Sequence, residues 1–130
     1  MPLWSKLYST VWLAFFGCVL IPRWMGSRMG LAAHVLLGLV MLVVAATNVK
    51  RLAALPVPER LKRISRVTAG FSVFQLIVGL ALGGAARLAP NLPHASPLLR
   101  GIHAVCALAI LSQASSVATA YDMWEEKEFG

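Results

Sequence analysis

The chain is 130 residues long, 58% hydrophobic and only 13% charged, with a mean hydropathy of +0.73 and a formal net charge of +7. A soluble domain carries roughly 25% charged residues, so this composition excludes an ordinary water-soluble globule and points to an integral membrane protein. The positive charge calls for no nucleic-acid partner, because a basic loop beside anionic lipid headgroups accounts for it.

The first predicted span covers residues 3–21. One lysine, Lys6, precedes its apolar run, and Phe15 stands three residues before Cys18. Neither feature suits a cleaved leader or a lipoprotein site, so the segment is read as a retained helix. "IPRWMGSRMG" (21–30) follows as a turn, with Pro22, Gly26, Arg23 and Arg28. The second span covers 29–49. It runs from Gly30 to Thr47 without a formal charge, yet it contains His34. "KRLAALPVPERLKRISR" (50–66) is a basic loop containing Pro56 and Pro58.

The third span, 67–86, contains Gly79 and Gly83, a small-xxx-small pair suited to close helix contact. "RLAPNLPHASPLLR" (87–100) holds three prolines that forbid a continuous helix, and its His94 is read as a surface residue. The fourth span, 98–121, carries His103 near its start. The tail "YDMWEEKEFG" has four carboxylates and is read as a solvated end.

Each run is long enough, at about 1.5 Å per residue, to cross a hydrocarbon core of about 30 Å. The runs are continuous and do not alternate at every second residue, so they are not barrel strands. The expected fold is therefore all-α: one transmembrane domain over residues 1–130, built as a four-helix up-down bundle. Eight basic residues (Lys50, Arg51, Arg60, Lys62, Arg63, Arg66, Lys6, Lys127) fall on one side and four (Arg23, Arg28, Arg87, Arg100) on the other. The positive-inside rule then predicts both termini in the cytoplasm and a location in the cell or inner membrane.

In that topology His34 and His103 each lie about five residues inside a helix that starts at the outer face. Helices 2 and 4 of an up-down bundle are diagonal partners, so two imidazoles at one level can serve as opposed axial ligands of a single haem iron. Ionisable residues within a span are costly and usually face the interior. Gly38 and Ala107 follow the two histidines by four residues, on the same helical faces, and leave room for a flat macrocycle. Arg28 and Arg100 are candidates to pair with haem propionates, as are Arg23 and Arg87, although lipid phosphates offer them the same chemistry. Zinc would want three or four ligands, and a proton relay would want carboxylates, which the spans lack. Cys18 and Cys106 leave a disulfide open only if their helices are adjacent. No nucleophile–base arrangement, phosphate-binding loop or carboxylate pair is present, so no catalytic residue is assigned.

The stretch "QLIVGLALGGAARLAPNLPHASPLLRGIHAVCALAIL" (75–111) resembles the haem A synthase family. The similarity rests on Gln75 followed by Gly79, a proline-containing outer loop with a histidine, and then His103 in a small-residue apolar helix. "HVLLGL" (34–39) is similar to the start of that family's second helix. The resemblance covers about half the chain and implies a four-helix half with His34 and His103 as paired haem ligands and His94 as the loop histidine. The family's acidic residue one turn before the first histidine falls on Leu31, and the outer-loop cysteine pair has no counterpart in 21–30. Only one four-helix half is present where a typical synthase has two. These departures bear on the oxidation chemistry rather than on the haem site.

The expectation is a b-type haem held between His34 and His103 near the outer face, in a membrane subunit of a respiratory oxidase or reductase complex. Its role would be electron transfer or structural support, with other membrane subunits as partners. A compact haem A synthase-like enzyme is the alternative. A haem-free accessory or assembly subunit is the second.

Overall fold

The computed structural model describes residues 3–24, 28–88 and 95–130. They form four helices: α1 (Leu3–Trp24), α2 (Arg28–Ala53), α3 (Glu59–Leu88) and α4 (Ala95–Phe129). Among the described residues three helices are long and apolar enough to cross a membrane, within Ala32–Ala53, Glu59–Gly83 and Pro97–Phe129, and α1 contributes the shorter apolar stretch Leu7–Gly17.

Two helices extend well past the spans that the sequence predicts. Helix α3 begins at Glu59 rather than 67, and α4 runs to Phe129 rather than 121. The charged residues there limit apolar length, not helicity. At about 1.5 Å per residue, the 35 residues of α4 exceed a hydrocarbon core of about 30 Å. Lys50 and Arg51 occupy the last turn of α2, where positive charge suits the helix dipole. Pro56 and Pro58 then break the chain. The Pro58 carbonyl accepts from the Leu61 and Lys62 amides, and Glu59 stands in the first turn of α3. Arg66 reaches back two turns to Glu59 at 2.9 Å, an exposed pair of small energetic weight.

Helix α1 packs on α2 and α4, and α3 packs on the same two, so among the described residues α2 and α4 are diagonal. One buried cluster joins Leu3, Leu7, Leu52, Val57, Leu61, Val117, Ala118 and Tyr121. It brings together the start of α1, the end of α2, the start of α3 and the end of α4. A second cluster, Ala14, Met41, Cys106 and Ile110, lies further along the same axis.

The core is apolar with a few buried polar residues, and the exterior carries many large apolar side chains. Thr10, Asn48, Ser65, Thr68 and Ser72 are buried, while Trp12, Leu36, Val43, Ile77, Leu80 and Leu108 are exposed. Lipid solvates such an exterior, and polar side chains inside then bond across or along the helices.

Candidate functional site

His34 on α2 and His103 on α4 meet across the diagonal. Their ring centroids are 5.9 Å apart and their planes cross at 69°. Neither element brings the pair together alone. Each helix supplies one half-buried imidazole about two turns from its start, and the ring of contacts among α1, α2, α3 and α4 holds the two at one level. Two imidazoles bonded at ~2.0 Å to one metal from opposite sides would hold their centroids roughly 6 Å apart, so the observed spacing suits a shared metal ion.

The Nδ1 atoms of both rings are buried and have no hydrogen-bond partner among the described residues. An unsatisfied buried polar atom costs about 1–3 kcal/mol, and Gln75 Oε1, beside His103, is a third such atom. Among the described residues no group of three or more His, Cys, Asp or Glu converges, so the donor set here is the histidine pair alone. A macrocycle that brings its own equatorial nitrogens needs no more than two axial donors from the protein.

Helix α3 supports His103 from one side. Gln75 Nε2 donates to the His103 carbonyl at 2.8 Å, which ties α3 to α4 at the level of the pair. A Cβ at Gly79 would stand 3.4 Å from His103 Cε1, so the bare backbone at 79 lets the imidazole lie against α3. Beyond the local backbone, His103 Cε1 is the one heavy atom of the described residues within 4 Å of that position, so a methyl fits there and a larger side chain does not. Gly38 has open space where its side chain would be, and Ala107 is half-buried one turn beyond His103. Arg100 is exposed, three residues before His103. The side chains of Cys18, Arg23, Arg28, Leu31 and Arg87 lie outside the described residues, as does His94. Cys106 is a buried free thiol facing the Phe71 carbonyl, with Sγ to O at 3.8 Å.

Further along the axis, away from the histidines, lies a polar group that the apolar span pattern hides. Asn48 Nδ2 donates to Thr10 Oγ1 at 2.8 Å, and Thr68 Oγ1 stands 3.3 Å from Gln113 Oε1. A signal was present in α3: Ser65, Thr68, Ser72 and Gln75 recur at intervals of three and four, which is one face of a helix. Compared with known proteins, the chain matches no family model, no curated protein and no solved structure.

Proposed function

We propose that this chain is a haem-binding subunit of a respiratory membrane complex, with His34 and His103 as the axial ligands of one b-type haem. The observation that carries the reading is the cross-diagonal pair: two imidazoles 5.9 Å apart, each with a buried Nδ1 that no described residue satisfies. The reading takes the four helices as an up-down bundle with both termini and the 54–58 turn on the cytoplasmic side, which puts the pair near the outer face. The eight basic residues of one side against four on the other support that orientation.

When bound, the haem supplies one-electron transfer. His34 and His103 would hold the group, the apolar helices would exclude water from it, and Arg100 and Arg28 are the residues assigned to pair with its propionates. Gly38 and Ala107, one turn beyond the histidines, are the small residues assigned to the flanks of the flat ring system. Pyridine haemochrome analysis of protein purified from membranes tests the proposal. One haem per chain is expected, and its absence from protein purified without stripping would leave a haem-free packing subunit instead.

A further inference from the structure

On the same axis as the histidine pair, about 20 Å along α2 by the fourteen-residue separation of His34 and Asn48, residues of all four helices line a small, partly open cavity of ≈ 20 Å³. Its polar lining is Thr10, Asn48, Ser65 and Thr68, with Ala45 and Ala114 among the apolar walls. A volume of roughly 10–15 Å³ on this measure holds one water molecule, so there is room for a single guest of that size.

The lining also says what kind of guest. Asn48 is only 4% exposed, and its Oδ1 has no partner among the described residues. Its Nδ2 is already committed to Thr10 Oγ1. The Ser65 hydroxyl donates to the Lys62 carbonyl at 2.8 Å, and the Thr68 hydroxyl donates to the Ile64 carbonyl at 2.8 Å. Both hydroxyl hydrogens are therefore spent on their own helix, and what Asn48 Oδ1, Ser65 and Thr68 offer the cavity is oxygen lone pairs. Such a lining calls for a donor. A cation would also meet it, but no carboxylate lines the cavity to compensate its charge.

We propose that this cavity binds one water molecule, which donates to Asn48 Oδ1 on α2 and to a hydroxyl oxygen of Ser65 or Thr68 on α3. The bond closes a gap in the polar connections between helices. Side-chain bonds join α1 to α2 through Asn48 and Thr10, α3 to α4 through Gln75–His103, and α1 to α4 through Tyr8–Asp122. The water supplies the corresponding link from α2 to α3 and so ties the two helical hairpins together inside the apolar shell.

Water-edited solid-state NMR on the full chain in lipid bilayers tests the assignment. Magnetisation should pass from water to the Asn48 side-chain amide and the Ala114 methyl, though not to the lipid-facing methyls of Leu80 and Leu108. In Ala114→Val, which fills the cavity and leaves every protein–protein hydrogen bond in place, transfer at Asn48 should fall several-fold. Transfer no greater at Asn48 than at Leu80 in the wild-type protein would overturn the proposal. So would Asn48 and Ala114 signals that shift between sodium-containing and sodium-free buffer, because a cation would then be the guest.

Discussion

Gly79 and Gln75 set the geometry of His103 at the scale of single residues. A methyl at position 79 would sit 3.4 Å from His103 Cε1, an ordinary van der Waals contact. Gly79→Ala should therefore keep the cofactor spectrum of the wild type and leave stability unchanged or slightly raised, since alanine is the better helix former by up to about 1 kcal/mol. Gly79→Leu adds branched carbons beyond that point and should push His103 out of register, seen as loss of a low-spin spectrum. Gln75→Leu removes the 2.8 Å bond to the His103 carbonyl. Hydrogen bonds between membrane helices are worth about 0.6 kcal/mol on average and up to about 1.7 kcal/mol, so a loss within that range is expected in detergent unfolding. An unchanged unfolding midpoint in Gln75→Leu, or a wild-type spectrum in Gly79→Leu, would contradict this account of how α3 supports the pair.

At the scale of elements, the sequence exposed the helices more readily than their ends or their inner faces. Apolar runs announce spans because lipid demands them, and Pro56 and Pro58 mark the break between α2 and α3, whereas Pro97, expected in a loop, lies in the first turn of α4. Residues 59–66 and 122–129 read as loop and tail from their charge, yet both are helical. Charge says where lipid ends; helix propensity and backbone bonding continue past that point. The two histidines were legible as a pair because each is a rare ionisable group at a matched depth. The polar group around Asn48 was not. Asn48 stands beside Lys50 and Arg51 and reads as the approach to the loop, and its bond to Thr10 joins residues 38 apart. Asn48→Ala should destabilise the protein by about 1–2 kcal/mol through loss of that bond and of the packing around it, measured by reversible unfolding in mild detergent.

For the whole molecule, the asymmetry of basic residues makes a claim about orientation that labelling can check. A single cysteine introduced by Ser96→Cys should react with an impermeant maleimide in intact cells, whereas labelling only after lysis would move the histidine pair to the cytoplasmic side. The proposed place in a larger assembly is checked by purification in mild detergent, which should recover stoichiometric membrane partners. A monodisperse monomer with nothing co-purifying would count against it.

The central claim is that His34 and His103 together hold one haem, and an optical spectrum tests it most directly. Two imidazole ligands fill both axial positions of the iron and favour a six-coordinate low-spin state. The reduced wild-type protein should show sharp α and β bands and react slowly with carbon monoxide. His34→Ala and His103→Ala should each abolish those bands or leave a five-coordinate iron, while His94→Ala should retain them. Absence of the bands from native wild-type protein, or their persistence unchanged in either variant of the pair, would contradict the claim.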